Sequence, residues 1–351
     1  MLEPLYRVGF ASCARIDYKD AFSKQPPCIL DTQDYKQPVW GQIATQHEQQ
    51  KLDAMLLLGD QVYSDYGPLN GFGGSRPKNW TVDRFHNLMY EMYKAQYSQV
   101  TGFKDLFLAL RDKGSKIGAV WDDHDFGYNN ASGIEPKFEN KLGSAKVLFE
   151  QFVQTLSGAL SVYPKIPGLP IARPTIGIER IDSPIQLGNE VEIVLLDSRF
   201  YRAKNGRKNG EMLGAKQWAA LENKLKNWDA SKLLILCMGS TYSTYGIGAD
   251  QSWAQTKTGQ PAYAHFKEFT DLARDKHIIY LSGDIHENQF VDHGGFCEVV
   301  SSGAHLPTER DSQRYGVLEI YQDKVEVKLF RGGAIESHLS KTIGRATGSV
   351  L

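Results

Sequence analysis

Three apolar, strand-like runs in this chain each stop on acids or histidines, and that pattern constrains the fold more than any bulk property. Ile278-Ile279-Tyr280-Leu281 leads into Ser282-Gly283-Asp284-Ile285-His286, and Leu56-Leu57-Leu58 leads into Gly59-Asp60. Ala119-Val120 leads into Trp121-Asp122-Asp123-His124-Asp125. Side chains alternate along extended backbone, so Asp284 and His286 face one side and Ile285 the other. Carboxylates at the ends of strands in open α/β sheets lie where ligand sites form. A lone Asp there as readily caps the following turn. Having both Asp60 and Asp284, with His286 two residues on, favours one site assembled from distant segments. Three acids and a histidine in succession repel one another unless cations or water neutralise them. The apolar strand before Asp122 carries the cluster to a sheet edge, which argues against a freely solvated loop. Neutral imidazole is a common transition-metal ligand, and a carboxylate can bridge two ions. Asn129-Asn130 add neutral oxygens suited to a hard ion. The pattern points to a metal-dependent hydrolase.

Short apolar strands alternate with helix-period segments, the signature of an α/β layered domain. The expected strands are Tyr6–Ala11, Ala54–Leu58, Ile117–Trp121, Val191–Leu196, Leu233–Met238, Ile278–Leu281, Phe296–Val300, Tyr315–Tyr321 and Val325–Phe330. Several are continuously apolar, as strands covered on both faces are. Helices are expected over Val39–Lys51, Val82–Gln96, Lys141–Leu156, Ala215–Lys226 and Ala262–Asp275. Gln322-Asp323-Lys324 joins the last two strands as a hairpin. The 351 residues read as one catalytic domain over 1–351, with a C-terminal hairpin extension over 315–351. Tyr66–Lys78 and Tyr163–Pro174, rich in Gly or Pro, are expected to shape or cover a pocket. Trp253, Tyr245 and Tyr263 stand as pocket walls or as ordinary packing.

A formal net charge of −1 offers no global attraction to nucleic acid, so no specific nucleic-acid binding is expected. No apolar stretch approaches the roughly 20 residues of a transmembrane helix. Four cysteines, Cys13, Cys28, Cys237 and Cys297, are too few and scattered for a disulfide framework. Met1-Leu2-Glu3-Pro4 opens without a secretory apolar region, which fits either a cytoplasmic protein or a processed, exported one. Neither a G-x-G-x-x-G opening a helix nor a Walker A motif is present, which disfavours a nucleotide-binding α/β protein. On spacing alone, Cys13 reads as a small buried hydrophobe. Tyr93, in a helix with Tyr90 and Tyr97, reads as core.

The motifs taken together resemble the PhoD-like alkaline phosphatase/phosphodiesterase family, a branch of the calcineurin-like metallophosphoesterases. Phe10-Ala11-Ser12-Cys13 is similar to its opening motif, Leu58-Gly59-Asp60-Gln61-Val62-Tyr63 to its second, and Tyr93-Lys94-Ala95-Gln96-Tyr97 to its tyrosine segment. Trp121-Asp122-Asp123-His124-Asp125-Phe126-Gly127-Tyr128-Asn129 resembles the WDDHDYG-x-N signature, and Leu196–Arg202 the LD-x-R-x-YR segment. Leu281–His286 is similar to the final metal motif and Glu298–Gly303 to the last core strand with its SSG turn.

The resemblance implies an α/β/β/α sandwich of two mixed sheets flanked by helices. It implies hydrolysis of phosphomonoesters or phosphodiesters by hydroxide on a dinuclear centre. Cys13, Tyr93 and His286 would hold one metal, Asp60 would bridge, and Asn129 with Asp284 would complete the second site. His124 would contact the phosphate or leaving group, with Asp122, Asp123 or Asp125 orienting it. Arg199 would meet phosphate or pair with a strand-end acid. His305, after Ser301-Ser302-Gly303, carries little expectation. Thiolate with phenolate suits Fe(III). The oxygen donors suit Ca(II). Zn, Mn, Co and Mg are the other divalent ions in view. The implied substrate is a small-molecule, lipid or nucleotide phosphate ester, and the implied location is secreted or periplasmic. A dinuclear hydrolase of another bond and a catalytically silent metal-binding relative remain as alternatives.

Overall fold

Continuously apolar strands need cover on both faces, and two facing sheets backed by helices provide it. The structure is a computed structural model that describes residues 3–16, 36–63, 65, 80–133, 139–149, 152, 181–203, 210–244, 252–254, 263–274, 276–306, 312–345 and 350–351. In chain order the strands are β1 (Tyr6–Ala11), β2 (Ala54–Leu58), β3 (Lys116–Val120), β4 (Ile185–Leu187), β5 (Val191–Leu195), β6 (Leu233–Cys237) and β7 (Ile278–Ser282). They continue as β8 (Asn288–Asp292), β9 (Phe296–Ser301), β10 (Arg314–Ile320), β11 (Lys324–Arg331), β12 (Ala334–Ile335) and β13 (Lys341–Gly344). The helices are α1 (Pro38–Gln49), α2 (Val82–Ser98), α3 (Phe103–Asp112), α4 (Asp123–Phe126), α5 (Leu142–Phe149), α6 (Ala215–Lys226) and α7 (Phe266–Ala273).

The first sheet runs β12-β11-β10-β1-β2-β3, with β13 also against β11; the second runs β4-β5-β6-β7-β9-β8. Within them β1-β2-β3 and β5-β6-β7-β9 are parallel, while the other pairs are antiparallel, so both sheets are mixed. Side-chain alternation on β5 and β6 divides the interior. Ile193, Leu195, Ile235 and Cys237 enter the core shared between the sheets. Val194, Leu196, Leu234 and Leu236 enter a second core beneath Trp218, Leu221 and Leu225 of α6 and Phe269 of α7. On the other side α1 and α3 bury Trp40, Ile43, Phe103 and Leu106 in the first core, with Trp40 edge-on to Phe103 at 4.7 Å. No described helix is long and apolar enough to cross a membrane.

The hairpin expected as a C-terminal extension is instead built into the first sheet. β10 lies antiparallel to β1, with Tyr6 opposite Ile320 and Phe10 opposite Gly316. All seven residues of β10 are buried, which a peripheral hairpin would not achieve. The strands missed in the sequence, β4, β8, β12 and β13, all lie at sheet margins, where short or polar strands are normal. Helix α3 is absent from the expected helices, although Phe103, Leu106, Phe107 and Leu110 follow helical spacing and are buried. The stretches 66–78 and 163–174, together with Cys28 and Tyr245, lie outside the described residues.

Gly316 leaves room for the Phe10 ring across the strand pair, since a Cβ there would lie 2.1 Å from a ring carbon. Gly316→Ala should therefore cost about 1–3 kcal/mol of stability. The check is a lower urea midpoint with an unchanged slope.

Candidate metal centre

Parallel pairing delivers the acid motifs to one place. Leu58 of β2 pairs with Val120 of β3, so Gly59-Asp60 and Trp121–Asp125 emerge side by side. The turn after β1 contributes Cys13, and the turn after β7 contributes Asp284 and His286. The Sγ of Cys13, a carboxylate oxygen of Asp60 and a ring nitrogen of His286 lie within 4.8 Å of one another. Carboxylate oxygens of Asp60, Asp122, Asp123 and Asp284 meet the same limit, so Asp60 belongs to both groups. All of these donors are buried.

The backbone is strained where it presents them. Cys13 (φ +61°), Asp60 (+56°), Asp284 (+71°) and His286 (+59°) are left-handed, and they make up half of the eight described non-glycine residues with positive φ. Such conformations cost on the order of 1–3 kcal/mol each and cluster at functional sites. The glycine before each strand-end Asp has a steric cause. A Cβ on Gly59 (φ +92°) would lie 2.6 Å from the Asp122 Cβ, and one on Gly283 would lie 2.4 Å from Ser12 Oγ.

Asp125 holds the strand ends together. Its carboxylate accepts the backbone N–H of Asp60 (2.5 Å), Gln61 (2.7 Å) and Asp122 (3.2 Å). It also accepts the Tyr93 hydroxyl at 3.2 Å. Tyr93, expected as a metal ligand, therefore stands behind the centre on α2, stacked on Phe152 with ring centroids 5.4 Å apart. Tyr63 is the tyrosine whose hydroxyl lies among the donors. It sits three residues after Asp60, with its hydroxyl 3.1 Å from Asp60 Oδ2 and 3.3 Å from His286 Nε2.

Asn129 is likewise used through its backbone, whose N–H donates to Asp65 Oδ2 at 2.7 Å. Asp123 provides an oxygen in the acidic group. The partner of His124 is Asp65, at 2.6 Å from Nδ1, rather than one of the neighbouring acids. Asp65 escaped notice because nothing in the sequence ties an acid five residues after Asp60 to a distant histidine. Tyr63 was visible within the second motif. Its ring lies over His124 at a centroid distance of 4.0 Å.

Arg199 resolves toward ion pairing. Its Nε donates to Asp122 Oδ1 at 2.5 Å, and Nη2 is 3.6 Å from Asp123. Arg202 donates to Ser240 and to the Tyr263 hydroxyl. Trp253 is core, buried beside Trp218 and Phe269. His305 serves through its backbone, donating N–H to Cys13 O and accepting from Arg15. Among the described residues Cys13 and Cys237 are free thiols.

Charge is out of balance in this group, and the shifts record it. Burial, then Cys13 and Asp123, pushes the Asp60 carboxyl well above its usual range. Burial, then Asp122 and Asp123, raises Asp284 to about 8. Burial, then the His124 charge, lowers His286 to about 3, which keeps its imidazole neutral and open to a metal. For His124 burial works downward, but Asp65, Asp123 and Asp60 outweigh it and raise the ring to about 10. Asp122 Oδ2 is buried with no hydrogen-bond partner. An orphaned carboxylate oxygen among crowded acids is what a cation site requires, so the donor set fits metal ions.

A family model for PhoD-like phosphatases matches residues 25–329. The chain belongs to the PhoD-like phosphatase family. Among solved structures, a dimetal phosphatase from Danio rerio is similar at TM-score 0.53 and 12% identity, covering 99% of this chain and all (100%) of that one. It shares the fold. GAP50, the anchor in the inner membrane complex of Plasmodium, aligns at TM-score 0.41 and 13% identity, covering 99% of this chain and 87% of that one. No curated protein sequence matches. Membership in the PhoD-like family, with these donor groups, supports metal-dependent phosphoesterase activity at a centre of two or more ions.

The positions of the two tyrosines separate by experiment. Tyr63→Phe should lower the metal content of purified protein, whereas Tyr93→Phe should leave it near that of the unaltered chain. Elemental analysis of both variants checks this.

Proposed function

We propose that this PhoD-like phosphatase hydrolyses phosphate esters at two cations bridged by Asp60. The observation that carries the reading is that Asp60 alone belongs to both the Cys13–His286 group and the Asp122–Asp123–Asp284 group. Cys13, Tyr63 and His286 would hold the first ion, and sulfur with phenolate favours Fe(III). Asp123 and Asp284, with the spare oxygen of Asp122, would hold the second. An all-oxygen set favours Ca(II), with Zn, Mn, Co or Mg as substitutes. When bound, the pair supplies Lewis acidity toward a phosphoryl oxygen and acidifies water.

The remaining residues act on the substrate. His124 commits Nδ1 to Asp65, which leaves Nε2 to donate a proton to the departing oxygen. Asp65 is itself held by the Asn129 amide, so it fixes the ring's orientation. With cations bound nearby, His124 would have a pKa below its metal-free value and would give up that proton more easily. Arg199 spends Nε on Asp122, while Nη1 and Nη2 are buried without hydrogen-bond partners. Those N–H groups would contact phosphoryl oxygens.

The reading is tested with phosphomonoesters, phosphodiesters and carboxylic esters assayed side by side. Chelation should abolish phosphate-ester turnover, and adding back iron with calcium should restore it. Asp60→Asn should remove both metal and activity; turnover that survives in this variant rules out the bridged centre. For the proton donor, His124→Ala should slow phenyl phosphate by roughly 10²–10⁴-fold. It should slow p-nitrophenyl phosphate far less, because that leaving group needs little protonation. Equal losses on both substrates would contradict a general-acid role.

A further inference from the structure

β9 ends in Ser301-Ser302-Gly303, and the Ser302 hydroxyl lies between two of the candidate ligands. Its Oγ accepts the backbone N–H of His286 at 2.9 Å and stands 3.1 Å from Cys13 Sγ. An amide nitrogen can only donate, so His286 occupies a lone pair of Ser302 and leaves the single hydroxyl hydrogen for sulfur. Ser12, on the other side of the thiol, is arranged differently. Its Oγ is 3.5 Å from Sγ but 3.1 Å from the Ser301 carbonyl, which takes its hydrogen. Both serines are buried, so water does not compete for these bonds. The same hydroxyl therefore acts on the sulfur and on a backbone amide of the metal motif contributed by β7. That amide belongs to His286, held at φ +59°.

We propose that Ser302 is a positioning residue: its hydroxyl lowers the donor strength of the Cys13 sulfur toward a bound cation and locks the strained His286 backbone. The proposal rests on the dinuclear reading above and adds a residue that touches neither cation nor substrate. A hydrogen bond to a ligating sulfur withdraws electron density from the sulfur–metal bond, so the hydroxyl sets how strongly this ion polarises what it binds. Removing it leaves a more electron-rich sulfur and a His286 turn with one tether fewer.

Cobalt(II) is the probe, because sulfur ligation gives it a near-ultraviolet charge-transfer band that can be read without turnover. In the full chain, Ser302→Ala should move this band to longer wavelength, because the sulfur is more electron-rich. It should also weaken cobalt(II) binding by roughly 10–100-fold, because the His286 turn that presents the imidazole loses its tether and this outweighs the stronger sulfur donor. Ser302→Thr, which keeps the hydroxyl, should restore both. Ser12→Ala should leave the band in place, since its hydrogen belongs to the Ser301 carbonyl. In the unaltered protein, exchange into heavy water should shift the cobalt–sulfur stretch in the resonance Raman spectrum, which tests the bond even if the alanine variant does not fold. An unmoved band in Ser302→Ala, a threonine variant as shifted as the alanine one, or a deuterium-insensitive stretch would each overturn the proposal. A band that persists in Cys13→Ser, or is missing from the unaltered protein, would instead overturn the metal assignment on which it rests.

Discussion

The geometry of the centre depends on one carboxylate that does not face it. Asp125 accepts three backbone amides, from Asp60, Gln61 and Asp122, and so ties the end of β2 to the end of β3. Parallel strands alone would bring these ends near each other without settling where the side chains point. A buried carboxylate that accepts several amide bonds is a strong, directional anchor. Here it fixes the turn in which Asp60 adopts a left-handed backbone, and Tyr93 supports it from behind.

Around that anchor the protein gathers more negative charge than it neutralises. Arg199 pairs with Asp122 and Asp123, and His124 pairs with Asp65, yet Asp60 and Asp284 still carry strongly raised proton affinities. Burying charge without partners is among the most expensive things a fold can do. The unfavourable backbone of four donors adds to that expense. Bound cations would offset both, because they would supply the missing positive charge and hold the strained geometry in place.

Much of this was legible in the chain. Apolar runs ending in Gly59-Asp60, Asp122–Asp125 and Asp284-Ile285-His286 marked the strand ends, because burial on both faces writes a continuous hydrophobic signal. Gly59 and Gly283 were visible too, although their reason, the close approach of Asp122 and Ser12, was not. Sequence order placed the hairpin at the periphery, whereas β10 is inserted against β1. Tyr93 drew notice as part of a tyrosine-bearing helix, but a helix can present a tyrosine to the wrong side of the anchoring Asp125. Tyr63 and Asp65, in the loop after Asp60, reach the centre because that loop folds back over His124.

The linear chain by itself determined the α/β class, the strand ends and the chemical kind of site, since these follow from hydrophobic period and from residue types that repel unless neutralised. Only the tertiary structure decided which tyrosine hydroxyl lies beside Asp60 and His286, which acid pairs with His124, and that Arg199 is bound to the acids. Those choices depend on distances between segments far apart in sequence. Local patterns carry no record of such distances, because they are set by how two sheets pack and twist against each other.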